Sequence, residues 1–208
     1  SVYLSRTALG VELARLERES NQVPLDADTI VVLVPDTSKA AADSMAFELG
    51  VPCLEGLMRN RYVGRTFIKP SQADRDFGAR MKYNPVREVL EGRRVVVVDD
   101  SLVRGTTSKS LVKFIRQAGA KEVHLRIASP PVRFPCFYGI DMPSHEELIG
   151  SRLSPDEIGE TLGVDSLGYL SLEGMLSVVA EHGSFCDACF SGNYAAPLVD
   201  VDKGYVPG

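Results

Sequence analysis

No apolar run in this 208-residue chain approaches the ~20 residues of a membrane span, and the N-terminus lacks the hydrophobic stretch of a signal peptide. The chain therefore reads as cytoplasmic, with no membrane partner. Positive charge is also short: 23 Lys and Arg stand against 28 Asp and Glu, a formal net charge of -5. No broad basic surface is left for nucleic acid, so a local cluster of cations is aimed at a small anion. Cysteine is sparse, with four residues, and an intracellular Cys186-Asp187-Ala188-Cys189 pair points to metal or redox chemistry more than to structural disulfides. The histidines, His124, His145 and His182, sit outside every motif, where core or surface duty suits them better than catalysis. Internal repeats and low-complexity segments are absent. What remains is 44% hydrophobic residues, enough for one full α/β core with a small appendage. The chain opens on Ser1 in a helix-like pattern, as expected of a fragment or a processed product.

Helical and strand patterns alternate along it. Leu9, Leu13 and Leu16 recur at helical spacing between Arg6 and Arg18, and Thr29 to Val34 is a β-branched run. Pro35-Asp36-Thr37-Ser38 ends that strand, and Lys39 to Leu49 reads as a helix stopped by Gly50. Cys53 to Leu57 is a further strand candidate, and Val123 to Ala128 another. Such alternation predicts a central parallel sheet flanked by helices, with ligands at the carboxyl ends of the strands.

The densest signal is Val95-Val96-Val97-Val98-Asp99-Asp100-Ser101-Leu102-Val103-Arg104-Gly105-Thr106-Thr107. Four valines favour a strand buried on both faces, so the two acids lie where it surfaces. Thr106 to Ala118 reads as a helix, with Thr106 or Thr107 able to cap it and Gly119 able to stop it. Taken singly, the acids read as solvated loop residues and the threonines as caps. Taken together they set carboxylates for hydroxyls or Mg²⁺ beside a helix N-terminus for a phosphate. The string resembles the phosphoribosyl-diphosphate (PRPP) signature of the type I phosphoribosyltransferases. That resemblance implies their α/β fold.

Between Arg59 and Lys82 the chain carries Arg59, Arg61, Arg65, Lys69, Arg75, Arg80 and Lys82, with Gly64, Pro70 and Gly78 and no sustained apolar period. It reads as a long flexible lid loop whose cations match a doubly phosphorylated sugar, against the plainer reading of a solvated linker. Asn60-Arg61-Tyr62-Val63-Gly64-Arg65-Thr66-Phe67-Ile68, the Val95 to Thr107 string and Pro135-Cys136-Phe137-Tyr138-Gly139-Ile140-Asp141, in that order, resemble the amidophosphoribosyltransferases of de novo purine synthesis. The resemblance runs from about Val2 to Tyr194 and does not take in the family's glutaminase domain.

It implies a role for each polar residue. Asp99 and Asp100 hold the ribose hydroxyls and Mg²⁺, while Ser101, Arg104, Gly105, Thr106, Thr107 and Ser108 cradle the 5′-phosphate. Asp36, Thr37 and Ser38 form the diphosphate loop, with Thr37 near the metal. Arg65 and Lys82 reach the diphosphate, and Tyr62 lines an ammonia path. Residues 1–170 form the transferase domain, and 171–208 a C-terminal helix and CxxC tail packed on it. Ammonia, drawn from glutamine in a full-length enzyme, displaces pyrophosphate from PRPP. Purine nucleotides are expected as feedback inhibitors, and a homo-oligomer as the assembly. Cys136, Cys186 and Cys189 match ligands of a [4Fe–4S] cluster in the family's iron–sulfur branch, with the fourth ligand outside this chain. Free thiols, or zinc with His182, are the other readings of these cysteines. A base-salvage phosphoribosyltransferase and a PRPP-sensing regulator remain the competing functions.

Overall fold

The computed structural model describes residues 1–60, 82–140, 142, 144–179 and 185–195. Its centre is a parallel sheet in the order β2-β1-β5-β6-β7. The strands are β1 Thr29–Leu33, β2 Cys53–Leu54, β5 Arg94–Asp99, β6 Glu122–Ile127 and β7 Ser166–Tyr169. The valine run explains the middle position of β5. Side chains alternate between the two faces of a strand, so Val95 and Val97 enter one core with Ile30, Val32, Leu125 and Ile127. Val96 and Val98 enter the other with Val31 and Leu33. Both faces are covered, as a parallel sheet requires.

The second core is closed by α1 Val2–Ser20 and α2 Lys39–Leu49, which contribute Leu13, Ala14, Met45 and Ala46. Gly10 lets these helices touch, since a Cβ there would lie 2.2 Å from the Ala41 carbonyl oxygen. The first core is closed by α3 Arg87–Leu90, α4 Thr106–Gln117, α5 Ile149–Arg152 and α6 Pro155–Leu162. Gly50 stops α2 in the left-handed conformation, as expected.

Three expectations are corrected. Cys53 to Leu57 is not one strand: β2 pairs in parallel with β1, and the chain then turns into β3 Leu57–Arg59, antiparallel to β4 Tyr83–Pro85. Neither threonine caps α4. Its N-cap is Gly105, at φ 78° with no side-chain bond, and the threonines lie inside the helix. Helix α1 begins at Val2 rather than Arg6, capped by the Ser1 hydroxyl accepting from the Leu4 N–H. The region from 144 to 169, which periodicity left unassigned, holds a 3-10 turn at His145–Glu147, then α5, α6 and β7. Its Ser154-Pro155-Asp156-Glu157 start is a capping box that residue spacing alone makes recognisable. Beyond β7, α7 Leu172–Val179 lies against α1, and α8 Ala188–Ser191 docks on Arg133 and Phe134, whose N–H groups donate to the Cys189 carbonyl at 3.0 Å each.

Candidate functional site

The register of β1 and β5, with Leu33 opposite Val98, brings the turns that follow them side by side. Val34 N–H donates to the Val98 carbonyl at 3.0 Å, so Pro35 to Ser38 and Asp99 to Gly105 leave the sheet at one edge. The peptide between Pro35 and Asp36 is cis. Asp36 and Thr37 are exposed there, whereas Ser38 is fully buried and its hydroxyl donates to the Val34 carbonyl at 2.5 Å. Ser38 therefore holds the turn's shape and offers a ligand only its backbone.

At the end of β5, burial pushes the Asp99 carboxyl up to about 7, and the neighbouring Asp100 charge adds to the shift. The Asp100 N–H donates to Asp99 Oδ1 at 2.9 Å, and Ser101 Oγ donates to Asp100 Oδ1 at 3.3 Å. Two adjacent carboxylates, one resisting ionisation, make a donor set that calls for a cation or for hydroxyl donors. The Asp100–Gly105 turn then delivers the chain into α4, a 12-residue helix with no acidic residue in its first turn. Its first N–H groups have no intrahelical acceptor and face outward with the positive end of the dipole. The Gly105 conformation is required by the turn, because φ 78° disfavours a side chain and a Cβ would meet Ile149 Cδ1 at 2.9 Å. Thr107 is exposed beside this end, Thr106 partly so, and Ser108 is buried within the helix.

Sequence reasoning did not single out two residues that complete this edge. Arg59, counted only among the lid cations, donates from Nη1 to Asp36 Oδ2 at 2.7 Å. The Tyr83 hydroxyl donates to the Pro35 carbonyl at 3.4 Å. Burial raises its pKa, and Arg59, Asp99, Asp36 and Asp100 are the charges around it. The basic segment's position was the available signal for Arg59; Tyr83 had none, since only the β3–β4 pairing brings it back. Lys82 sits at the base of that pairing, where its carbonyl accepts from Asn60 N–H at 2.8 Å. Arg65 and Tyr62, with the rest of 61–81, and His182 lie outside the described residues.

The cysteines form a separate locus. Cys186 is exposed, Cys136 and Cys189 are partly buried. Burial pushes the Cys189 thiol up to about 11, with Cys136 and Cys186 adding to the shift. Tyr194 holds this corner together, donating from its hydroxyl to the Pro135 carbonyl at 2.8 Å and meeting the Phe137 ring at 5.1 Å. Cys53 is elsewhere, on β2 near Asp43, which leaves at most three thiols at the corner. Among the described residues no group of three or more His, Cys, Asp or Glu side chains is placed to hold a metal ion. Nor is any described helix long and apolar enough to cross a membrane.

No protein-family model matches the chain. An amidophosphoribosyltransferase of Synechocystis sp. is 51% identical over 202 residues, taking in 97% of this chain and 39% of the relative. One from Methanocaldococcus jannaschii is 50% identical over 194 residues, 93% of this chain and 40% of that protein. Among solved structures, a glutamine PRPP amidotransferase from B. subtilis, complexed with ADP and GMP, superposes with a TM-score of 0.81 at 46% identity, covering 97% of this chain and 44% of that one. The chain thus spans about two fifths of the length of the curated relatives it matches.

Proposed function

Since the chain belongs to the amidophosphoribosyltransferase family, we propose that it is that family's phosphoribosyl-transferring part. Ammonia displaces pyrophosphate from the anomeric carbon of PRPP: a C–N bond forms, the C–O bond to the diphosphate breaks, and 5-phosphoribosylamine is the product. The observation that carries this reading is the shared edge of β1 and β5, where the Asp36–Ser38 turn, the Asp99–Asp100 pair and the N-terminus of α4 stand together.

In this reading the 5′-phosphate is taken by the Ser101 hydroxyl, Arg104 and the Gly105–Ser108 N–H groups, which need no reorganisation to receive an anion. Asp99 and Asp100 accept from the ribose hydroxyls and so orient the anomeric carbon. The diphosphate lies over Asp36–Ser38, with Arg59 beside it, and Arg65 and Lys82 are assigned to it by family resemblance. The same carboxylates and Thr37 are the residues that would hold Mg²⁺, and a cation there would favour ionisation of Asp99, which burial and the Asp100 charge oppose. When bound, that ion neutralises charge developing on the departing diphosphate. No covalent nucleophile is required, and positioning with electrostatic stabilisation supplies the catalysis. Tyr62 is assigned to the ammonia path by resemblance alone.

The same reading assigns residues 1–170 to the transferase domain and 171–208 to a tail carrying Cys186 and Cys189. With Cys136 these would be three ligands of a [4Fe–4S] cluster that needs a fourth thiolate from beyond this chain. Feedback by purine nucleotides, a homo-oligomeric state and a cytoplasmic setting also belong to it. The test is pyrophosphate release by the purified chain from PRPP and Mg²⁺. Ammonium is expected to support it, whereas glutamine, with these 208 residues alone, is not. Release that needs a purine base instead of ammonium would overturn the assignment in favour of base salvage.

A further inference from the structure

The chain beyond β6 comes back to the phosphate turn. The Ser144 to Glu147 turn is closed by the Glu147 N–H donating to the Ser144 carbonyl at 3.0 Å, and the Ser144 N–H and hydroxyl both donate to Glu147 Oε2, at 3.3 and 3.4 Å. The other oxygen, Oε1, accepts from Arg104 Nε at 3.1 Å, across 43 residues of sequence. Two further contacts flank this pair. Ile149 N–H donates to the Val103 carbonyl at 2.9 Å, and the Ile149 side chain occupies the space that a Cβ on Gly105 would need. Val103, Arg104 and Gly105 are therefore each held from outside by one short segment.

Stability does not explain the ion pair. Its side chains are 42% and 51% exposed, and exposed pairs contribute little. Attraction of an anion does not explain it either, because a carboxylate beside a phosphate turn repels phosphate unless its charge is committed to a cation. Commitment to Arg104 removes that objection. Glu147 takes Nε, and a guanidinium gripped on that side keeps its planar fork in a set orientation, the property that makes arginine suited to phosphate.

We propose that Glu147 is a positioning residue for the phosphate turn, holding Arg104 in the orientation that receives the 5′-phosphate of PRPP. This rests on the transferase reading given above. An arginine already ordered loses less freedom when its ligand arrives, and that saving is Glu147's contribution to binding.

Titration calorimetry of the full chain with Mg²⁺, using ribose 5-phosphate and pyrophosphate as separate probes, tests it. Glu147→Ala is expected to weaken ribose 5-phosphate about five-fold and to leave pyrophosphate unchanged. Glu147→Gln, which keeps an acceptor for the Ser144 cap, is expected to produce the same selective loss without disturbing the turn. In an Arg104→Ala background, Glu147→Ala should add nothing, because residues acting as a unit are non-additive. Equal losses for both probes, additive losses, or unchanged or tighter ribose 5-phosphate binding would each overturn the proposal. A wild-type chain that binds neither probe would overturn the transferase reading itself and this inference with it, a result distinct from any effect of the variants.

Discussion

At Asp99 burial and charge oppose each other: the carboxyl is pushed up to about 7 by its surroundings and by Asp100, so the fold gains nothing from its ionisation. In the proposed function that charge serves the ribose hydroxyls and the cation instead. Asp99→Asn keeps the shape and removes the charge. It is expected to weaken PRPP binding roughly ten- to a hundred-fold, the range for a hydrogen bond to a charged group, while the melting temperature does not fall. Calorimetric binding and a thermal scan on the same sample check this, and a large fall in melting temperature with unchanged affinity would assign Asp99 to structure. Asp99 and Asp100 were legible because local order placed them at the end of a buried strand. Arg59 was legible only as one of seven cations in a basic segment, and Tyr83 and Glu147 not at all, because each reaches the site from at least 16 residues away in sequence.

Among the elements, β5 was the most legible, since four successive β-branched valines favour a strand covered on both faces. The α1–α2 contact was not, because nothing in the pattern of leucines reveals which residue meets the neighbouring helix. Gly10 does, with Ala41 O and Ser44 Oγ each 2.2 Å from where its Cβ would be. Intrinsic propensity alone would make a larger residue there stabilising by up to about 1 kcal/mol. Overpacking has the opposite sign and is larger, so Gly10→Val is expected to destabilise by about 2 kcal/mol or more. A lower urea midpoint with an unchanged slope is the expected readout; a raised midpoint would mean that the helices do not meet there. The β3–β4 pair was obscured for a different reason. Three-residue strands are too short for periodicity to register, and only their pairing identifies them.

On the scale of the whole molecule, one polar clasp ties the strand entrances together at the end away from the site. Arg94 at the start of β5 donates to Glu122 Oε2 at 2.7 Å on β6 and to Asp26 Oδ2 at 2.8 Å before β1. The Arg94 guanidinium holds the Glu122 carboxyl down at about 2 and lowers Asp26 as well. A depressed carboxylate contributes stability that is present above its unfolded value and is lost as pH falls through the folded value. For Glu122 that window runs from 4.5 down to about 2. His124, lowered chiefly by burial, acts in the same sense from 6.5 downward, because protonation is harder in the fold than out of it. Asp99, raised to about 7, acts in the opposite sense down to its unfolded 3.8, so in an Asp99→Asn background urea midpoints are expected to fall below pH 6.5 and more steeply below 4.5, and Glu122→Gln to flatten the lower part. An acid limb unchanged by that substitution would remove Glu122 as its cause.

The amino-acid sequence by itself determined the buried β5 strand, the acids at its end, the helix that follows them and the alternation that makes a parallel sheet. These are local consequences of side-chain branching, periodicity and backbone freedom over a few residues. The tertiary structure decided what meets those residues: the Pro35–Ser38 turn aligned through strand register, Arg59 and Tyr83 returned by β3 and β4, and Glu147 and Ile149 set against the Val103–Gly105 turn. Such contacts join residues far apart in the chain, where spacing carries no signal, and they arise only when burial of both sheet faces forces the connecting segments across the same edge.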